Sequence, residues 1–267
     1  MNGIISAVIL VCAIGLIAGI GLSIASVVMA VPKDEKAEQI RECLPGANCG
    51  ACGFSGCDGY ASALSKGETT KTNLCAPGGS EAANGIAEVL GVKAESVEPM
   101  AAFVRCNGTS SHNGNKLEYA GVQSCKLASQ LFGGPKDCIY GCIGFGDCVK
   151  ECEYGALKIC DGVARVDPML CKACKKCMSV CPKNLIELMP LHKSFATVTC
   201  RNQDKGALTR KACDVGCIGC MKCVKVCESQ AVTVENNVAS VDVSKCTNCG
   251  KCVEACPTKA IKTITIE

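Results

Sequence analysis

The chain ends in the run Cys246-x2-Cys249-x2-Cys252-x3-Cys256-Pro257, and a matching run, Cys217-x2-Cys220-x2-Cys223-x3-Cys227, precedes it. Three thiolates this closely spaced suit one 4Fe-4S cluster, and the fourth, set one turn further on, suits the neighbouring cluster. The spacing therefore predicts one cluster on Cys217, Cys220, Cys223 and Cys256, and a second on Cys246, Cys249, Cys252 and Cys227. Glu228 stands where a proline usually follows the crossing cysteine, which relaxes a turn but removes no ligand. Disulfide frameworks belong to small secreted domains and zinc to paired Cys-x2-Cys knuckles, and neither produces this four-by-four pattern.

The same unit occurs earlier at a fixed offset of 75 positions: Cys152, Cys171, Cys174, Cys177 and Cys181 map onto Cys227, Cys246, Cys249, Cys252 and Cys256. A duplication follows. Cys152, Cys171, Cys174 and Cys177 are expected to hold one cluster of the first copy. Its companion has only Cys142, Cys148 and Cys181, because Phe145 stands where the second copy has Cys220. Two readings stay open. Cys138, one short turn upstream, closes a four-iron site, which is the preferred reading, or the site is of the three-iron form.

A different spacing appears in Leu44-Pro-Gly-Ala-Asn-Cys49-Gly-Ala-Cys52-Gly-Phe-Ser-Gly-Cys57, followed by Cys75-Ala-Pro-Gly-Gly79. Cys49, Cys52, Cys57 and Cys75 are expected to bind a further cluster. The glycines let backbone amides approach its negatively charged sulfurs. A zinc site also wants four thiolates, but in a spacing unlike this one.

These stretches, in this order behind an apolar N-terminal segment, resemble the B subunit of the Rnf complex, the membrane-bound ion-translocating ferredoxin:NAD oxidoreductase. The resemblance spans the chain, which looks like a longer member with two ferredoxin-like modules instead of one. It implies an α+β architecture, with an N-terminal transmembrane helix (1–32), a small 4Fe-4S domain (33–100) and two tandem 2x(4Fe-4S) ferredoxin-like modules (101–190 and 191–267) with pseudo-twofold packing. The cysteine sets together predict five clusters, the one beside Phe145 in either the four-iron or the three-iron form. Electrons would come from soluble ferredoxin and pass to membrane and peripheral partner subunits that reduce NAD and move ions. The N-terminal motif alone identifies less, because corrinoid iron-sulfur proteins carry it too; those add a large barrel domain. A membrane-tethered polyferredoxin of a hydrogenase or formate dehydrogenase is the alternative reading of the whole.

The elements that must position these thiols are short. Residues 1–32 carry no charged side chain, an apolar run long enough to span a bilayer and too long for a signal-peptide core, with Met29-Ala30-Val31 only a weak cleavage lookalike. Positive charge begins at Lys33, Lys36 and Arg41, which predicts a single pass through the cell inner (cytoplasmic) membrane with the C-terminal bulk in the cytoplasm, where thiols stay reduced. Gly15, Gly19 and Ser23 form a small-residue stripe, and Cys12 reads as apolar filler. Lys33 to Glu42 reads as a charged linker. Ser80 to Leu90 reads as a helix capped by Ser80 and stopped by Gly91, while Ala231–Glu235 and Ala260–Ile266 alternate as strands.

Composition agrees with clusters standing in for much of a core: there are 27 cysteines, aromatics are 3% and tryptophan is absent. A repeat of about 75 residues is small for an ordinary core, so metal binding is expected to contribute folding free energy. A net charge of +3 with interspersed signs gives no nucleic-acid footprint. Gly141 to Gly146 is glycine-rich but lies inside a ligand run, without the strand, helix and later acid of a dinucleotide site. Asn107-Gly-Thr109 reads as a loop, and His112 and His192 stand apart from the cysteine runs. Cys43, Cys106, Cys125, Cys160, Cys200 and Cys213 are left without a role, though Val104-Arg-Cys106 and Val198-Thr-Cys200 look like a repeated element that ligates something further.

Overall fold

The computed structural model describes residues 2–28, 34–191 and 194–264. Lys33, His192, the Met29–Val31 stretch and the strand end at Thr265 and Ile266 lie outside them. The N-terminal helix α1 (Asn2–Val28) is uncharged, and its window Ile9–Ser26 has a mean hydropathy of 2.4 with none of it buried. At about 1.5 Å per residue it is long enough, as well as apolar enough, to cross a bilayer. Ser23 Oγ donates back to Gly19 O at 2.9 Å, satisfying the one hydroxyl of the small-residue stripe.

Helices α2 (Glu35–Glu42), α3 (Cys57–Ser65) and α4 (Gly79–Leu90) form a small helical unit. The expected charged linker is instead helix α2: Asp34 accepts the Ala37 N–H at 3.1 Å as an N-cap, and Ile40 is fully buried against α3 and α4. One apolar residue in a charged stretch is a faint signal, yet burying it settles the helix. Ile40, Leu44, Tyr60, Leu64 and Ile86 make the core, and the Tyr60 hydroxyl donates to Lys71 O at 2.6 Å. Gly91 ends α4 in the left-handed conformation at φ 68°, as expected, whereas Ser80 sits inside the first turn and makes no cap.

Beyond residue 100 come β1 (Met100–Val104), α5 (Cys125–Ser129), α6 (Asp147–Lys150), β2 (Leu157–Cys160), β3 (Val163–Val166), α7 (Lys176–Ser179) and β4 (Ile186–Pro190). The second repeat supplies β5 (Phe195–Val198), α8 (Gly206–Ala212), α9 (Lys222–Lys225), β6 (Val232–Glu235), β7 (Val238–Val241), α10 (Lys251–Glu254) and β8 (Ile261–Ile264). Each repeat has two antiparallel pairs: β1 with β4 and the hairpin β2–β3, then β5 with β8 and the hairpin β6–β7. The hairpins superpose in sequence at the 75-residue offset. So does a pair of ion pairs, Glu153 with Lys176 and Glu228 with Lys251, the second of which occupies the missing-proline position.

The cores of the repeats are small: Val163, Leu185 and Ile186 in the first, and Val198, Val232 and Ile261 in the second, are packed among cysteines. Arg105 ties the two together. Its guanidinium donates to Val198 O, Cys200 O and Ala239 O of the second repeat, each at 3.3–3.4 Å, and reaches Glu187 Oε1 at 3.3 Å. Arg201 meets the same Glu187 from the other side at 2.6 Å.

Candidate metal centres

The ligand loops are shaped by left-handed residues. Ala173 and Lys175 have φ of 51° and 62°, and their counterparts Asn248 and Gly250 have 53° and 76°; Gly144 and Gly146 correspond in the same way to Gly219 and Met221. Such turns aim successive N–H groups into one concavity, the geometry that receives an anionic group. Gly144 and Gly219 have a second reason: a Cβ there would lie 2.6 Å from Gly162 O and 2.8 Å from Asn237 O, in the turns of the two hairpins.

Cys49, Cys52, Cys57 and Cys75 line one cavity of the N-terminal unit. Asn48 Oδ1 accepts the Cys57 N–H at 2.9 Å, which fixes the loop between Cys49 and α3. Cys152, Cys171, Cys174 and Cys177 line another, and Ala102 N donates to Cys171 Sγ at 3.3 Å. Cys217, Cys220, Cys223 and Cys256 line a third, with the Ala239 N–H on Cys217 Sγ at 3.4 Å. Cys227, Cys246 and Cys249 are near enough to Cys252 to raise its pKa, after burial, and Asn248 N donates to Cys246 Sγ.

The site beside Phe145 differs from expectation. Its cavity is lined by Cys125, Cys142, Cys148 and Cys181. Cys138 instead lines a separate cavity. The physical reason is an insertion: 32 positions separate Cys106 from Cys138, against 13 between Cys200 and Cys213. The added segment carries α5, which puts Cys125 where the second repeat uses Cys220. Phe145 packs on that segment, its ring 5.4 Å from Tyr119, and the two rings join Cys125, Ala128 and Ile143 in a small cluster. Ser124 caps α5 and donates to Asp147 Oδ2 at 2.9 Å, which also accepts the Lys126 N–H at 3.0 Å, so the inserted helix is latched to the start of α6. The extra cysteine inside the insertion was the sequence signal for this site.

These five sites fit iron-sulfur clusters better than single ions. Among the described residues no three His, Cys, Asp or Glu side chains converge closely enough to hold one metal ion. The thiols are spread around cavities instead, four of which hold about 310 to 370 Å³ of free space each, open mouths included. Burial and neighbouring thiols push Cys148 and Cys177 up to about 12, and burial with Cys217 and Cys220 pushes Cys223 up to about 11. Burial therefore disfavours the thiolate forms at these positions, and a cationic centre bound among them would offset that cost.

The sites stand next to one another. Lys175 Nζ donates to Ala51 O at 2.9 Å, joining the N-terminal loop to the first repeat. Cys174 is raised by burial and then by the nearby Cys49, Cys152 and Cys171. Cys148 feels both Cys181 of its own site and Cys177 of the next. In the second repeat α9 packs on α10, as α6 packs on α7 in the first. Cys12, Cys43 and Cys160 line none of these cavities: Cys12 is exposed on α1, Cys43 Sγ turns back to Gln39 O, and Cys160 ends β2. His112 Nδ1 lies 2.8 Å from Asp214 Oδ1, between the repeats and away from the five sites.

Thiol-ringed cavities on short loops and hairpins define an iron-sulfur protein of ferredoxin character. Consistent with that class, residues 216–260 match the 4Fe-4S dicluster domain family, 164–187 the 4Fe-4S binding domain family, and 44–77 a family described as a putative Fe-S cluster. Over 247 residues, 92% of this chain and 74% of the relative, the sequence is 41% identical to the B subunit of the Na(+)-translocating ferredoxin:NAD(+) oxidoreductase complex of Acetobacterium woodii. It is 40% identical over 92% of its length to the B subunit of the proton-translocating ferredoxin:NAD(+) oxidoreductase complex of Clostridium ljungdahlii, covering 87% of that protein. It is also 38% identical over 91% of its length to the B subunit of the ion-translocating oxidoreductase complex of Methanosarcina acetivorans, covering 92% of it. The chain belongs to this family of ion-translocating oxidoreductase B subunits.

Proposed function

We propose that the chain is the electron-relay subunit of a membrane-bound, ion-translocating ferredoxin:NAD oxidoreductase. It is anchored by α1 and built as an N-terminal cluster domain (33–100) followed by two tandem dicluster modules of ferredoxin type (101–190 and 191–267). Its sites are Cys49, Cys52, Cys57 and Cys75; Cys152, Cys171, Cys174 and Cys177; Cys125, Cys142, Cys148 and Cys181; Cys217, Cys220, Cys223 and Cys256; and Cys227, Cys246, Cys249 and Cys252. A 4Fe-4S cluster on such a set takes up and releases single electrons, with a potential set by burial and by hydrogen bonds to its sulfurs.

The observation that carries this reading is the adjacency of the sites. Cys220 and Cys249 reach the surface of the second module, while Cys49 lies near Cys174 of the first, its loop tied there by Lys175 on Ala51 O. A soluble ferredoxin docking at the exposed end can therefore pass electrons towards the membrane end, where partner subunits take them. The loop from Gly141 to Gly146 wraps a thiol cavity, so NAD chemistry falls to those partners. The α1 segment leads directly into the cluster domain, and Lys36 and Arg41 favour the cytoplasmic side for it.

The test is the complex purified without air and assayed for NAD reduction by reduced ferredoxin. Cys57→Ala should abolish that reduction while the two modules remain reducible. Full turnover in the variant would remove the N-terminal site from the path, and a wild-type complex inactive with ferredoxin and NAD would overturn the assignment.

A further inference from the structure

Four cysteines outside those five sites come from four separate segments and meet. Cys106 lies two residues past β1 and Cys200 two residues past β5; Cys138 and Cys213 each lie four residues before Cys142 and Cys217, the first thiols of their own repeats. All four are buried, and they line one cavity between the repeats with about 340 Å³ of free space. Each repeat contributes the same two positions, so the cavity spans the internal duplication. We propose that Cys106, Cys138, Cys200 and Cys213 hold a sixth 4Fe-4S cluster that bridges the two dicluster modules; this rests on the iron-sulfur reading of the other five sites.

The surroundings are those of a buried anionic group. Asn202 donates its backbone N–H to Cys200 Sγ and its side-chain amide to Cys138 Sγ, both at 3.4 Å. The N–H groups of Tyr140 and Gly141 point at Cys138, and that of Val215 at Cys213. Arg105 and Arg201 line the same cavity and bring positive charge to it. Four buried thiols without a metal would leave these donors facing weak acceptors and the cavity unfilled, which a small protein tolerates poorly. The thiols ring a space instead of converging on a point, as at the other sites, so a cluster fits where a zinc ion would leave a gap.

The cavity also joins the two modules. The Cys142 N–H bonds to Cys106 Sγ at 3.4 Å, and the Cys217 N–H is directed at Cys200. Each thiol set of the bridge is thus one backbone contact from the first ligand of a flanking site. A cluster held there by Cys106, Cys138, Cys200 and Cys213 would supply one-electron chemistry, accepting one electron from the flanking site on one side and giving it to the flanking site on the other. No bond or proton is exchanged.

The experiment counts metal in the full chain, purified or reconstituted without air, by native mass spectrometry and by iron and sulfide analysis. Six sites predict about twenty-four irons and five predict about twenty. Cys106→Ser with Cys213→Ser should lose about four irons and leave the signals of the other sites, while Cys43→Ser, outside every cavity, should lose none. Wild-type protein with about twenty irons would overturn the proposal, whether or not one zinc accompanies them, as would a double variant that keeps all its iron. The wild-type count decides even if the double variant fails to fold. It is also independent of the electron donor and acceptor, so it can fail while the relay function stands.

Discussion

The backbone N–H of Cys142 donates to Cys106 Sγ at 3.4 Å, linking the first thiol of the first module's own site to a thiol of the cavity shared between modules. On the other side the N–H of Cys217 is directed at Cys200. A cluster in that shared cavity, as proposed above, would make the line of sites continuous through the middle of the protein. In the fully reduced protein, neighbouring paramagnetic sites should relax one another. Power-saturation measurements should show that relaxation passing from one module to the other in the wild type. In the Cys106→Ser, Cys213→Ser double variant it should persist within each module and disappear between them; unchanged coupling would place the two modules in contact by another route.

A second outcome concerns Cys125. The inserted helix delivers it to Cys142, Cys148 and Cys181, so Cys125→Ser should cost that site one iron or the whole cluster, and a three-iron signal should appear on oxidation. Cys138→Ser should leave this site unchanged and affect the bridging cavity alone. The reverse pattern would restore Cys138 to the first module.

The two repeats were legible because ligand spacing is a local property: three thiolates on one loop must come at fixed intervals, and a duplication preserves them. The partners that a fold brings from afar were not. Cys125 lies in an insertion with no counterpart in the second repeat, so alignment of the copies could show that a ligand was missing but not which residue replaced it. The short distance from Cys138 to Cys142 points to Cys138, whereas the structure places Cys138 on a separate cavity and Cys125 beside Cys142, because sequence proximity carries no information about which side of the loop a thiol faces. Likewise the repeated Arg-Cys106 and Thr-Cys200 elements were visible, while their meeting required β1 and β5 to be placed by pairing with β4 and β8. Helix α2 was missed because its one buried residue, Ile40, sits among charges that face solvent.

Arg105 should prove to hold the modules together. It is largely buried, and its donors satisfy three carbonyls of the second repeat as well as Glu187. Removing it leaves those acceptors buried and unpaired and leaves Glu187 to Arg201 alone. Arg105→Ala should therefore destabilise the cluster-loaded protein by on the order of 2 kcal/mol. Chemical unfolding followed by cluster absorbance measures this. A change within experimental error would mean that the bridging thiols, not Arg105, carry the contact.

Asp34 gives the junction between anchor and cluster domain a pH dependence. Its carboxylate is held below the usual range first by the Ser65 hydroxyl and then by the Ala37 N–H. A depressed carboxylate pKa contributes stability that is present above the ordinary, unfolded value and is lost as pH falls through the lowered one. Exchange of the Ala37 amide should therefore be slow at neutral pH and become faster relative to the α2 interior as the solution is acidified. Asp34→Asn should flatten that dependence; an Ala37 amide indifferent to both changes would show that the cap does not hold the start of α2.

The anchor itself makes the last prediction. Every thiol proposed as a ligand lies at or beyond Cys49, and α1 is separated from them in sequence by α2, whose buried Ile40 packs on α3 and α4. Removing residues 2–28 should consequently leave a brown, soluble protein with its full iron content, reducible by ferredoxin but no longer sedimenting with membranes. The exposed apolar side chains from Ile9 to Ile24 have no counterpart of comparable extent elsewhere on the described surface, so no other described segment supplies an equivalent hydrophobic anchor. Retention of the truncated chain on membranes stripped of the partner subunits would show that a second surface binds lipid. Retention only when those partners are present would instead measure how tightly the cluster domain docks on them.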